Sequence, residues 1–371
     1  MHSIKNKTLV FGVALIGSSL LATMRCQYSG DFFEKSAAAS NTTAPQSFAM
    51  VSVPANTSGF LMGSNVVAGA GPEHTVPSIT AFTIAKHEVR YAEWLSVKTW
   101  AEAQTPAYSF ANAGGMGSGS QTDQHPVTQI SWRSAIIWCN AASQKDGLTP
   151  VYYSDAGFTS VLRASSATTS LLGTAGDGTM DFPFVNWTAN GYRLPTEVEW
   201  EYAARYKDGT TFSRGDAPSG WVDSNSDTFV DSDESSAVAW YSGNTGGGAT
   251  QVVGTALSNA LGLFDMSGNV WEFVWDWHAT YTNSMPYTDA DSKGPASGTN
   301  RIYRGGSSAN AAVSLETSSR SVTSPWNHGT NIGFRPRQAA LADFRFTQRN
   351  YILFLSAIAR FNAQPILRIC D

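Results

Sequence analysis

Arg193-Leu194-Pro195-Thr196-Glu197-Val198-Glu199-Trp200-Glu201-Tyr202-Ala203-Ala204-Arg205 carries the strongest local structural signal in the chain. Thr196 can accept a hydrogen bond from the backbone three residues on, and Glu199 can return one to the Thr196 amide. This reciprocal arrangement starts a helix and predicts one running to Arg205. Working upstream, Ser131 is a natural cap for a second helix, with Ala135, Ile136, Cys139 and Ala142 on one face. Gly147 suits its left-handed end, and Pro150 blocks continuation. A third helix follows His87-Glu88-Val89, with Tyr91, Trp94 and Leu95 at helical spacing. Residues 48–64 read as a strand entering the turn Gly59-Phe60-Leu61-Met62-Gly63-Ser64, and 103–124 and 151–189 as loops. Beyond Arg205 no helical periodicity is visible, and the chain is expected to be irregular. Trp271, Phe273, Trp275 and Trp277 alternate, as in a strand whose large side chains belong to the core.

The 371 residues suffice for a sizeable core. Only 14% are charged, while 33 glycines and 12 tryptophans are present. Few charges with many glycines and aromatics point to loops held down by large flat side chains rather than to a helical bundle. A net charge of −5 supplies no basic face for nucleic acid. Cys26, Cys139 and Cys370 lie far apart, in no zinc-binding spacing. Cys139 reads as a small buried hydrophobe, with a Cys139–Cys370 disulfide as the alternative.

The two ends differ from the body. His2, Lys5 and Lys7 precede an apolar, Gly/Ser-containing run from Leu9 to Met24, so residues 1–26 read as an export signal. Cys26 suggests a lipoprotein, anchored to a membrane through its acylated thiol. The preceding Arg25 fits that pattern poorly and leaves ordinary cleavage open. Residues 27–47 form a Ser/Ala/Thr-rich tether. Residues 342–371 form a C-terminal extension whose apolar run, 351–359, is too short to span a bilayer. The expected location is the cell envelope or outer surface.

Between the ends, further motifs follow in a fixed order around the first helix start. They are His87-Glu88-Val89, His125-Pro126-Val127, Gly147-Leu148-Thr149-Pro150-Val151-Tyr152, Gly262-Leu263-Phe264-Asp265-Met266-Ser267-Gly268-Asn269-Val270-Trp271-Glu272-Phe273, Arg304-Gly305-Gly306-Ser307 and Asn331-Ile332-Gly333-Phe334-Arg335. This series resembles the sulfatase-modifying factor family, whose founding activity is formylglycine generation. The resemblance covers residues 48–341 and implies one α+β domain of C-type-lectin-like fold, rich in irregular loops. It also implies a calcium site at Asp265, Gly268, Val270 and Glu272. A hard cation wants six to eight oxygens, which carboxylates and carbonyls across a glycine turn can begin to supply. The alternative is that Asp265 and Glu272 only cap the turn.

The family's oxidase chemistry uses two cysteine thiolates that bind copper. The matching positions here hold Ala312 and Thr317, so no copper is expected and the chain leans away from enzymatic function. His74, His87 and His125 are expected to bond backbone in loops, and Arg304 and Arg335 to form structural salt bridges. The reading that remains is a non-catalytic module outside the cytoplasm, binding an extracellular macromolecule or ligand through a loop-rich face at 308–331. Its candidate contact residues are Ser308, Asn310, Ser314, Glu316, Ser319, Ser321, Thr323, Trp326, Asn327, His328 and Thr330. The segment also resembles variable proteins of diversity-generating retroelements. The alternatives are an oxidoreductase of the formylglycine-generating type and another enzyme on this fold.

Overall fold

The structure is a computed structural model that describes residues 47–119, 121–226, 230, 232–281 and 293–339. The expected export signal with Cys26, nearly all of the tether, the C-terminal extension and Cys370 lie outside the described residues.

The elements, in chain order, begin with β1 (Met50–Val53), β2 (Phe60–Met62), β3 (His74–Val76), β4 (Phe82–Ala85) and α1 (Tyr91–Glu102). There follow β5 (Gly115–Met116), β6 (Val127–Thr128), α2 (Trp132–Lys145), β7 (Tyr152–Tyr153), β8 (Phe184–Val185), β9 (Tyr192–Arg193) and α3 (Glu197–Arg205). The series ends with α4 (Ser232–Val238), β10 (Trp271–Trp277), β11 (Arg301–Arg304), β12 (Arg320–Thr323), β13 (Ile332–Phe334) and β14 (Arg337–Ala339). One sheet has the order β1-β4-β14-β9 and a second the order β12-β11-β10-β13. The mixture of short strands, few helices and long loops is the expected α+β class.

α2 and α3 begin where their caps place them. Ser131 accepts from the Ser134 amide, and Gly147 follows the end of α2 with φ +72°. Thr196 and Glu199 form the reciprocal cap of α3. Three expectations are corrected. The stretches 103–124 and 151–189, read as loops, carry short strands, β5 pairing with β6 and β7 with β8. A short helix, α4, forms after Arg205, in a Ser/Asp/Glu-rich stretch that has no apolar stripe to announce it. Leu95 on α1 is exposed, because the packing stripe runs through Trp94, Val97 and Ala101 instead.

The core is aromatic. Trp94 and Trp138 stack with centroids 6.2 Å apart, and Phe334 meets the edges of both. Trp94, Trp132, Trp138 and Trp200 are fully buried. Each such ring removes some 150–250 Å² from water, an upper bound of about 4–6 kcal/mol. Cys139 is the buried hydrophobe expected, with its thiol pushed well up by burial.

The polar side of α3 is buried as well, and this organises the loops. Glu197 pairs with Arg320 at 2.7 Å and with Arg304 at 3.3 Å. Glu199 takes Arg193 at 2.8 and 2.7 Å and also Arg337. Glu201 takes Arg205 at 2.9 Å, the Gly63 amide at 2.8 Å and Arg304. One helix turn after another therefore grips β9, β11, β12, β14 and the turn after β2. The arginines beside Glu199 hold its carboxyl far below the usual range despite burial. Such pairs add little net stability, but removing one partner strands the other.

Candidate functional site

The segment 305–331 rests on the turn 265–270, and the bonds between them are largely backbone. Gly268 N–H donates to the Gly305 carbonyl (2.8 Å), Ser308 N–H to that of Asn269 (2.9 Å) and Trp271 N–H to that of Asn331 (2.9 Å). Ser267 Oγ donates to the Leu315 carbonyl at 2.7 Å. The turn is tightly wound. Asp265, Gly268 and Asn269 have φ of +55°, +87° and +56°. A Cβ on Gly268 would sit 2.3 Å from the Trp240 carbonyl oxygen, so only glycine fits.

Beneath the turn lies an excess of buried negative charge. Asp265 Oδ2 accepts from the Gly254 amide at 2.6 Å, while Oδ1 is buried without a partner. Glu272 accepts from Arg335 at 2.5–2.8 Å and from the Trp200 indole at 2.7 Å. Glu88, also fully buried, accepts from Asn269 Nδ2 (2.7 Å) and the Val270 amide (2.9 Å). Burial, reinforced by Asp265 and Glu272, holds the Glu88 carboxyl well above its usual range. Burial likewise lifts Asp265 to about 6, with Glu272 adding repulsion. Asp265 and Glu272, with the Glu88 carboxyl pushed toward its neutral form, thus share the single guanidinium of Arg335. The orphaned Asp265 Oδ1 and the charge excess suit a hard cation held by the Asp265 and Glu272 carboxylates and the Gly268 and Val270 carbonyls. Among the described residues no three His, Cys, Asp or Glu side chains converge as a metal set, so such a site depends on those carbonyls. Glu88 was not legible as part of this cluster, because it comes from the other end of the domain.

The expected contact residues fall into three groups. Asn327, His328 and Thr330 are exposed. Asn310, Ser314, Glu316, Ser319, Ser321, Thr323 and Trp326 are half-buried. Ser308 is fully buried, and its Oγ donates to the Gly248 carbonyl at 2.8 Å, so it belongs to the base and not to the face. Several half-buried members are engaged. Ser321 Oγ donates to Tyr303 Oη, Asn327 Nδ2 donates to Thr323 Oγ1, and the Trp326 ring covers Arg133 at 5.4 Å. Glu316 stands apart. Its Oε2 is buried without a partner, and burial together with Asp216 lifts its carboxyl to about 7.

At the two positions expected to match the family's copper thiolates, Ala312 opens an exposed 3₁₀ turn. Thr317 is buried, and its Oγ1 donates to the Arg214 carbonyl at 3.1 Å. The three histidines bond backbone. His74 Nδ1 meets the Pro72 carbonyl, His87 Nδ1 the Glu88 carbonyl, and His125 Nδ1 the Thr122 amide. Arg304 and Arg335 are ion-paired to α3 and to Glu272 as expected. In the aromatic strand, Trp271, Phe273 and Trp277 are buried, but Trp275 is half exposed at the wall of a cleft.

A family model described as the sulfatase-modifying factor enzyme 1-like domain matches residues 35–339. The chain belongs to this family. It is 31% identical over 224 residues to the chaperone protein LppX of Paenibacillus barcinonensis, covering 54% of this chain and 64% of that protein. It is 30% identical over 247 residues to the formylglycine-generating enzyme of Mus musculus, covering 65% of this chain and 50% of that one. The chain thus spans between half and 64% of the length of these two curated relatives. Among solved structures it resembles Treponema denticola variable protein 1, at TM-score 0.59 and 29% identity over 78% of this chain and 94% of that one. It also resembles CarF, at TM-score 0.55 and 26% identity over 79% and 99%.

Proposed function

We propose that this protein is a non-catalytic recognition module of the sulfatase-modifying factor family, presenting the 309–331 face to an extracellular macromolecule. The observation that carries the reading is the pair Ala312 and Thr317, which stand where the family's oxidase places its copper thiolates. Thr317 is committed to backbone carbonyls, and Cys139 is sealed in the core. A soft copper ion has no ligand there. What persists is a loop face on a rigid base, a common way to carry recognition. Likeness to a protein titled a variable protein supports a face whose outward side chains are free to differ. Calcium in the 265–272 turn would neutralise the carboxylates beneath that face and stiffen it. Export through residues 1–26, with Cys26 as a lipid anchor, would place the face at the cell envelope.

The test is to incubate the purified chain with a cysteine-containing sulfatase-type peptide, copper, oxygen and reductant, and to follow the peptide by mass spectrometry. The expected result is unchanged peptide from a folded, calcium-supplied sample. Conversion of the cysteine to an aldehyde would overturn the reading and make the chain an oxidase.

A further inference from the structure

A cleft of about 350 Å³ opens between segment 181–187, the end of β10 and segment 293–296. Phe184, Trp187 and Trp275 are half-buried along it, and Trp277 closes it. Arg193 and Lys293 lie against the Trp187 ring at 4.8 and 4.7 Å, so the partly open aromatic surface is chiefly that of Phe184 and Trp275, which suits the apolar face of a ring.

The charge in the cleft selects among rings. Arg301 lines it and is fully buried, held between Trp132 and Trp277 with its Cζ 3.6 and 3.5 Å from the two ring centroids. Its Nη atoms donate only to the carbonyls of Trp275 and Asp181, each at 2.6 Å, and its buried Nε has no hydrogen-bond partner. Every other buried arginine of the described frame that grips α3 or β10 meets a carboxylate. Arg301 meets none within ion-pair distance. Asp181, also at the cleft, is consumed by Arg133 at 2.7 and 2.6 Å and by the Leu172 amide. Asp276, behind Gly294, is pushed up to about 8 by burial and by Glu197, so it carries little charge at neutral pH. Lys293, exposed at the rim, adds a second cation, with its Nζ 4.7 Å from the Trp187 centroid. Arg301 thus makes no ion pair of its own and shares the more distant Asp181 with Arg133, so an anion from outside would add to a weak counter-charge. With cations already on the aromatic faces, quaternary ammonium ligands are disfavoured.

We propose that the cleft walled by Trp187, Trp275 and Trp277 binds a small carboxylate with one flat apolar face, its acid group drawn to Arg301 and Lys293. This site is separate from the 309–331 face and stands independently of it. An aromatic acid and a uronic acid both present that chemistry. The test uses calorimetry and saturation-transfer NMR on the purified chain, with 2-naphthoate against 2-naphthamide and methyl glucuronide against methyl glucoside. The expected result is that at least one acid binds about tenfold or more tightly than its neutral counterpart, a gap of about 1.4 kcal/mol. Which acid binds identifies the source. Lys293→Glu, an exposed substitution, should weaken that binding about tenfold with unchanged circular dichroism and melting, and Lys293→Gln should fall between. Absence of binding by either acid at millimolar concentration overturns the proposal. So does equal affinity for acid and neutral partner, or binding indifferent to Lys293→Glu.

Discussion

Glu201→Gln tests whether the carboxylates of α3 hold the loop face in place. Glu201 is fully buried, and its two oxygens accept from the Gly63 amide, Arg205 and Arg304. Glutamine keeps the volume but turns an N–H₂ group toward at least one guanidinium, donor against donor. Removing one partner of a buried pair typically costs about 3–5 kcal/mol. Glu197 lies 3.3 Å from Arg304 and offers partial compensation, which places the expectation at the lower end, near 3 kcal/mol. For a domain of this size that is a fall in melting temperature of about 6 °C. Urea unfolding followed by tryptophan fluorescence and by far-UV dichroism measures it, coincidence of the two probes checking two-state behaviour. Arg304→Met completes a cycle. The double variant should be less destabilised than the sum of the singles by at least about 1 kcal/mol. A Glu201→Gln change under about 1 kcal/mol, or an additive double variant, would refute the claim that this pair links α3 to β11.

Three further expectations follow from named groups. Burial depresses His87 to about 4. In the unfolded chain it takes a proton near pH 6.5, so the stability it confers is complete above that pH and is lost as pH falls toward 4, by about 3 kcal/mol. His87→Gln should flatten this slope in urea midpoints measured from pH 7 to 4, and an unchanged slope would refute the assignment. Calcium should raise the melting temperature of the parent chain and not of Asp265→Ala, and magnesium should do less; a shift that survives Asp265→Ala places any cation elsewhere. Alanine at Asn327, His328 or Thr330 should alter stability by less than about 0.5 kcal/mol, whereas Ser308→Val should cost about 1 kcal/mol by removing a buried bond to the Gly248 carbonyl, which keeps only its bond from Ser118 Oγ. Equal tolerance at both sets would contradict the division between face and base.

What the sequence revealed was local or motif-borne. The caps at Ser131 and Thr196 act over three residues, and Gly147 needs only its own φ, so all were legible. Of the ion-paired arginines only Arg304 and Arg335 were legible as structural, and their partners were not; the buried pairs of Arg133, Arg193, Arg205 and Arg337 were not foreseen. Arg335 and Glu272 lie 63 positions apart, and Glu88 reaches Val270 across 182. Nothing in the local pattern distinguishes those carboxylates from solvated ones. Ser308 reads like its small polar neighbours, and only the approach of Gly248 shows that it faces inward. The cleft was invisible for the same reason. Its walls come from five separated segments, and Trp275 looks in sequence like its buried neighbours at 273 and 277. α4 was missed because a Ser/Asp/Glu-rich helix packed by Glu234, Ser235 and Val238 has no apolar period to read.

The division between base and face has a physical origin in what makes the bonds. The 305–331 segment is tied down by main-chain groups, through the carbonyls of Gly305, Asn269, Leu315 and Asn331 and through Gly215, which accepts from both the Ser318 amide and its Oγ. A backbone bond is indifferent to the outward side chain on the residue that makes it. The side chains that do matter point inward and are fixed by close approach, as at Gly268 and Ser308, or by buried charge, as at Arg304 and Glu201. The segment therefore stays seated without any bond from Ala312 to a metal, and Thr317 is held by backbone carbonyls. The exposed positions 327, 328 and 330 contribute little to that seating, so the fold itself does not dictate their identities.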